Sequence, residues 1–477
     1  MRVCGLCAVM CMTCLFAATP AVCSVKETGA SASDPWHTQY PPAMLQQDLA
    51  SLKQTLIAIH PHPFAYTSAQ QFDIAYQAVL RQLKRPMTKV QFYYLIAPLL
   101  ASLKNGHTYA YPLEEEYRAY VKQDGVVFPL MVHWADRRLW LADSAGTDRL
   151  PLGSEILSIA GESAQAVVER YAHVFSAEGK TANYAMIERP EIFWLMLWLD
   201  HPGQSRLRLR IRDPKRARRD IIVHALPPAI ARQRLAKNRD EGKPYRYTTT
   251  AEARCGLLTI NAFDGLDAFQ TFLQETFAKI QQDEVRNLII DIRGCPGGDS
   301  RLCDALIGYL TGKPYRQLLR FEMKVSRYTY EKYGRELGLK EEQIGTVWSC
   351  PPTFLEERQP APTPLRFTGR TYLLIGPTSF SSSAYLAGIL KYYHIATLVG
   401  EETGDPNSVY GEVVDMRLPK TQLKYSVACK YFQFPGDTGD GRGVQPDYRV
   451  IPTPQDLAKK EDAVMAFTVG LIRRKME

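Results

Sequence analysis

Hydrophobic and polar positions change period several times along the 477 residues, and each change marks a region. From 41 to 104 apolar residues recur at helical spacing. Leu45, Leu49, Leu52 and Leu56 lead. After a break at His60-Pro61-His62-Pro63 the pattern resumes over 72–83 and 89–103. This block closes on Asn105-Gly106-His107-Thr108, and a helical N-terminal domain is expected over 41–115. From 126 to 226 short β-type runs take over, as in Val127-Phe128-Pro129-Leu130, Leu139-Trp140-Leu141 and Leu207-Arg208-Leu209-Arg210. Residues 229–251 are charged and poor in apolar positions and read as a linker. Strands and helices then alternate: a strand at 255–263, a helix at 267–282, a strand at 288–292, a helix at 301–310. A mixed insertion, 315–365, follows, with the character of a lid or arm. The apolar run Tyr372 to Ile375 turns at Gly376-Pro377 and passes into helical spacing at Tyr385, Leu386, Ile389 and Leu390. A strand at 397–400, hairpin-like strands at 411–419 and 425–434, and a helix at 454–473 complete the chain. This alternation over 252–477 implies an α/β layer structure.

Composition adds little to that picture: 45% hydrophobic and 23% charged residues suit a globular protein of two or three domains. The net charge of +8 has part of its basic excess in Lys215, Arg216, Arg218, Arg219 and the stretch 232–254. No nucleic-acid motif accompanies it, so a solvated linker on a basic exported protein accounts for it and no nucleic-acid partner is expected. Residues 1–23 have the form of a secretory signal: Arg2, an apolar run over 4–18, and Ala21-Val22-Cys23 before Ser24. Export to the periplasm or medium is expected, with cleavage near Cys23. Lipidation at Cys23 is a minor option, since Pro20 to Cys23 is a poor lipobox, and any membrane association would run through this leader. Five of the ten cysteines lie in the leader; the others, Cys255, Cys295, Cys303, Cys350 and Cys429, are widely spaced and imply neither a disulfide framework nor a zinc site. The prolines after His60 and His62 favour an extended turn over a metal pair. No metal or cofactor is called for.

The chemistry concentrates at the strand-to-helix corner around Ser379, Ser381, Ser382 and Ser383. Such a corner presents free N–H groups and the positive end of a helix dipole, where an oxyanion is stabilised. A serine there is a candidate nucleophile, and an N-cap cluster is the plain alternative. The run Asn287 to Ser300, NLIIDIRGCPGGDS, supplies a buried strand and a glycine loop that admits close approach to bare backbone.

Together these two stretches resemble the tail-specific (C-terminal-processing) serine proteases, in which a D-[IL]-R-x-N-P-G-G loop precedes a serine corner. Asp291-Ile292-Arg293 and Pro296-Gly297-Gly298 match, and Cys295 stands where Asn is usual. The resemblance implies a crotonase/ClpP-like α/β core and puts the nucleophile on Ser381, with Gly297 or Gly298 and Ser382 as oxyanion-hole donors. One branch of the family uses a lysine in a G-x-x-T-x-G-K loop; here that loop is Gly400-Glu401-Glu402-Thr403-Gly404-Asp405, and Pro406 occupies the lysine position. The tricorn-like branch uses a histidine in D-G-H-T and a carboxylate before the final G-V-x-P-D. Asn105-Gly106-His107-Thr108 then supplies His107 as base, and Asp440 stands where that branch carries Glu, with Asp437 as a neighbouring competitor. Asp440 as a turn residue is the equal alternative. Ser379, Ser382 and Ser383 also suit caps or support, and Glu401 and Glu402 suit loop anchors. Residues 153–161 resemble a PDZ segment, which implies a PDZ-like domain over 126–226; the usual carboxylate-binding loop is missing, and a packing domain is the other reading.

The resulting expectation is an exported serine endopeptidase acting on polypeptides through an acyl-enzyme on Ser381. A catalytically silent binding protein on the same scaffold, and an esterase or amidase on small acyl substrates, are the alternatives. The substitutions at Asn105, Cys295 and Asp440 keep the silent scaffold open.

Overall fold

The computed structural model describes residues 35–145, 150–181, 183–236, 243–250 and 255–474. The expected leader, 1–23, lies outside them. Among the described residues no helix is long and apolar enough to cross a membrane, and Cys255, Cys295, Cys303, Cys350 and Cys429 are free thiols.

The central sheet has six strands in the order Tyr245–Thr250, Cys255–Ile260, Asn287–Asp291, Arg370–Ile375, Thr397–Gly400 and Tyr448–Arg449. The first is antiparallel to its neighbour and the others run parallel. Alternation along the strands sorts their side chains. Leu373 and Ile375 join Leu288 and Ile290 in a cluster under the helices Leu266–Gln282, Ser300–Leu310 and Ser382–Tyr392, which contribute Phe269, Leu306 and Leu386 to it. Tyr372 and Leu374 turn to the other face and pack with Ile289, Val399 and the helix Ala463–Arg474. Burial on both faces explains why these strands read as unbroken apolar runs. The loops that leave the carboxyl ends of the parallel strands, 292–299, 376–381 and 401–408, converge at one end of the sheet, the place where open α/β sheets build their sites.

A second sheet runs in the order Val347–Ser349, Arg320–Lys324, Lys424–Gln433, Val409–Arg417, so the insertion 315–365 supplies two of its strands. The short strand Tyr109–Ala110 pairs with Tyr425 and Ser426 of the same sheet. The N-terminal helices Pro42–Ile59, Ala69–Gln82 and Lys89–Ala101 pack onto this hairpin. One apolar cluster runs from Leu45 through Tyr93 to Val414, Leu423, Tyr425 and Val427. The buried Asp48 carboxylate accepts from the Lys420 and Thr421 N–H groups at 2.8 Å each, which ties the hairpin turn to the first helix. The strand-rich region forms a six-stranded antiparallel sheet of Leu130–Ala135, Arg138–Ser144, Glu155–Ile159, Glu162–Ser163, Arg206–Arg212 and Arg218–His224, and it shares that apolar cluster with the N-terminal helices.

The expected linker, 229–251, differs from its reading. It holds the helix Pro228–Ala236 and the edge strand Tyr245–Thr250. Tyr245 packs on Phe269 and Phe272 while its neighbours face outward, which leaves the stretch polar in composition although it is structured.

Candidate active site

Ser381 sits at the turn between the strand Arg370–Ile375 and the helix Ser382–Tyr392, with φ 56° and ψ −123°. A non-glycine residue in that region costs on the order of 1–3 kcal/mol, and such strain is kept where the surroundings over-determine it. Here the surroundings are specific. Ser379 Oγ donates to the Ile292 carbonyl at 2.9 Å and Phe380 N–H donates to the Cys295 carbonyl at 3.2 Å, so the corner is laced to the glycine loop. Ser382 Oγ donates to the Gly298 carbonyl at 2.6 Å. Ser381 is 2% exposed, and its hydroxyl has no hydrogen-bond partner among the described residues.

The glycine loop comes as close as backbone allows. A Cβ at Gly297 (φ 103°) would stand 2.8 Å from Ser381 Cβ and 2.9 Å from Ser382 N. One at Gly298 (φ 133°) would stand 2.2 Å from the Phe263 carbonyl oxygen. Both positions therefore require glycine, and the structure brings Gly297, Gly298 and Ser382 together around Ser381. Cys295, at the position where Asn is usual, is buried with its thiol within the loop and pushed up to about 11 by burial, so it is an unreactive packing group.

His107 reaches the same corner from the N-terminal region. Just after His107 its loop is fixed by the strand pairing of Tyr109–Ala110 and by Ala428 N–H donating to Thr108 Oγ1 at 3.1 Å. The imidazole stacks on Phe380, with ring centroids 4.7 Å apart, and is 2% exposed. Burial lowers it to about 4, which keeps the ring neutral at pH 7, with a nitrogen lone pair free to accept a proton. Neither ring nitrogen has a hydrogen-bond partner among the described residues.

The carboxylate beside His107 is Asp405. Its Oδ2 lies 4.0 Å from His107 Nδ1 and accepts from the Ser381 N–H at 2.9 Å. A second buried carboxylate, Glu178, accepts from Asn105 Nδ2 at 2.9 Å and from the Gly106 N–H at 2.7 Å through Oε2. Burial pushes both acids up, and for Asp405 the nearby charge of Glu178 adds to it. One side-chain oxygen or nitrogen from each of His107, Glu178 and Asp405 falls within 4.8 Å of the others.

Asp440, expected to orient His107, is placed elsewhere. It is exposed, and its Oδ1 accepts from Thr438 Oγ1 at 3.0 Å and from the Arg442 N–H at 2.9 Å, the contacts of a turn residue. These bonds, the Arg442 N–H first, hold its carboxyl below the usual range. The turn does come near the site, because the Lys180 N–H donates to the Gly441 carbonyl at 2.7 Å, two residues from Glu178, but the carboxylate stays in solvent. Asp437 behaves alike and accepts from the Gly439 N–H. Glu402 accepts from the Gly443 N–H at 2.7 Å, an anchor as expected. His60 and His62 do not share a ligand: His60 Nδ1 accepts from the His62 N–H, and His62 pairs with Glu322 at 2.8 Å.

Sequence reasoning thus missed Asp405 and Glu178. Asp405 carried a signal, since it lies in the loop that the resemblance sets against the serine, one residue before the lysine position. Glu178 carried none.

Residues 254–450 match the family model of peptidase family S41. Among solved structures, the fold is similar to that of mature CPAF, with a TM-score of 0.64 and 17% identity over 90% of this chain and 96% of that one. It is similar again to mature CPAF complexed with lactacystin, with a TM-score of 0.62 and 15% identity over 91% and 99% of the two chains. At these identities the likeness is one of fold. A comparison of the sequence with curated proteins finds no match. His107 and Glu178 fall outside the matched residues, whereas the glycine loop, the serine corner and Asp405 fall inside them, so it is the part of the chain over 254–450 that is similar to peptidase family S41.

Proposed function

We propose that the protein is an endopeptidase of the tricorn-like kind, in which Ser381 is the nucleophile and His107 the base. The observation that carries this reading is the Asp405 carboxylate, which holds the Ser381 backbone at 2.9 Å and faces His107 Nδ1 at 4.0 Å. In the reaction, Ser381 Oγ adds to the scissile carbonyl and its proton passes to His107 Nε2. The charge on the carbonyl oxygen is met by N–H groups of the 297–298 loop and the start of the nucleophile helix, each worth roughly 3–4 kcal/mol in such sites. His107 then returns the proton to the leaving amine, and water repeats the sequence on the acyl-enzyme. In this reading Asp405, backed by Glu178, stands in place of Asp440: a buried acid 4.0 Å from Nδ1 lies where it would meet the imidazolium that forms during transfer. Serine and imidazole are both unpaired at rest, a common state of apo sites that a bound substrate tightens.

An open groove is lined by His62, Phe64, Arg320, Glu322, Tyr410 and Tyr431, and its Tyr410 joins it to the cluster through the N–H that donates to Glu178 Oε1 at 3.5 Å. Its aromatic walls suit a polypeptide laid against the hairpin sheet. The PDZ-like reading of 126–226, as a recruiting module on a crotonase-type core, and export through the leader belong to the same proposal.

The test is labelling with a fluorophosphonate probe together with casein hydrolysis. Wild type should label and cleave, and Ser381→Ala should do neither while keeping its melting temperature. Absence of labelling in folded wild type would favour the silent scaffold, and turnover of p-nitrophenyl esters without casein cleavage would favour an esterase.

A further inference from the structure

The cluster behind the serine holds more ligand atoms than proton transfer requires. His107, Glu178 and Asp405 are 2%, 0% and 0% exposed. Asp405 Oδ1 and both nitrogens of His107 are buried with no partner among the described residues. No lysine or arginine ion pair to Glu178 or Asp405 is found among the described residues. Two carboxyl groups in a dry pocket can both ionise there only against a counter-charge, because charge taken from water must be paired or coordinated. The three groups come from three separate segments that hydrogen bonds hold together: Thr108 is anchored by the Ala428 N–H, Glu178 is bonded to Asn105 and Gly106 of the His107 loop, and Asp405 is bonded to the Ser381 N–H.

We propose that His107, Glu178 and Asp405 form a divalent transition-metal site of the Zn2+ type, whose occupation switches the peptidase off. One imidazole and two carboxylates make a mixed nitrogen–oxygen set of three, which suits Zn2+ with a fourth position for solvent; calcium and magnesium prefer more oxygens. Ligand atoms about 2.1 Å from a tetrahedral zinc stand ~3.4 Å apart, so the widest separation in the 4.8 Å cluster must contract by up to about 1.4 Å, a movement within side-chain reach. The groove at Tyr410, whose N–H faces Glu178, supplies the way in. A metal ion on His107 occupies the lone pair that would accept the serine proton, or fixes the ring away from Ser381, so the bound form is inactive. The inhibitory part of this inference rests on the reading of His107 as base; the binding part does not.

The test uses full-length protein stripped with EDTA and titrated with Co2+ and Zn2+. Wild type should take up one Co2+ per chain with visible d–d absorption, and Zn2+ should displace it. Glu178→Gln and Asp405→Asn, checked for folding by thermal melts, should each weaken Zn2+ by more than about tenfold. Ser381→Ala and Asp440→Asn should bind like wild type. Casein hydrolysis by wild type should fall with Zn2+ and return with EDTA. No Co2+ uptake by folded wild type, or uptake undiminished in both carboxylate variants, overturns the proposal. Co2+ uptake with Ser381→Ala still active would leave the site standing and sink the peptidase reading; an inactive Ser381→Ala that takes up no Co2+ does the reverse.

Discussion

Asp405 and Asp440 are both aspartates in glycine-flanked loops, and their surroundings give them opposite roles. Asp440 bonds only its own turn. Asn makes the same turn bonds, so Asp440→Asn should keep kcat on casein near wild type. A drop beyond about tenfold would return that residue to the site. Asp405 should respond differently to pH. Burial first, and then the charge of Glu178, raise its pKa in the folded state. The folded protein therefore holds a proton that the unfolded chain releases near pH 4. Stability from that proton is fully present below the unfolded pKa and is lost as pH rises through the folded one. Asp405→Asn keeps an acceptor for the Ser381 N–H but carries no charge. In EDTA at pH 9 it should melt a few degrees above wild type, roughly the effect of 1–2 kcal/mol, while kcat falls. A lower melting temperature at pH 9 would show the carboxylate to be a net stabiliser. That Ser381 and His107 are candidates was legible in the sequence because each lies in a short motif, and the structure brings the two motifs to one corner. The two carboxylates were not, since their relation to His107 exists only after distant segments meet.

At the scale of elements, the strand–turn–helix corner and the glycine loop form one unit. The two glycines of the loop should separate folding from catalysis. Gly298→Ala puts a methyl 2.2 Å from the rigid Phe263 carbonyl, and the strand-like bridge there must break. Its main effect should be on stability. Gly297→Ala meets Phe380 O and Ser381 Cβ at 2.8 Å and should push the nucleophile aside. A shift of about 1 Å costs on the order of 10²-fold in rate, so Gly297→Ala should lose more kcat per degree of melting temperature than Gly298→Ala. Paired kinetics and melts check this, and equal ratios would mean that the loop acts only as scaffold. The parallel strands were readable from their apolar runs and the nucleophile helix from its period. The edge strand Tyr245–Thr250 was hidden by the charge around it, although its aromatic and β-branched residues carried a β signal.

At the scale of the whole molecule, the family match covers five of the six strands of the central sheet but not the whole candidate site, because His107 and Glu178 lie N-terminal to it. The hairpin strands Val409–Arg417 and Lys424–Gln433 bury Val414, Leu423, Tyr425 and Val427 against the N-terminal helices. Residues 252–477 expressed alone should therefore expose an apolar face, go largely to the insoluble fraction, and show no casein cleavage. A soluble, active fragment would remove His107 from the mechanism. Because the strand Tyr109–Ala110 pairs with Tyr425 and Ser426, the loop that carries His107 waits for a segment made long after it. A chain growing from the ribosome carries its histidine early and its serine late, and the hairpin that fixes the histidine later still. On the proposed chemistry, order of synthesis acts as a safety catch, and a half-made copy would have no means of cutting its neighbours.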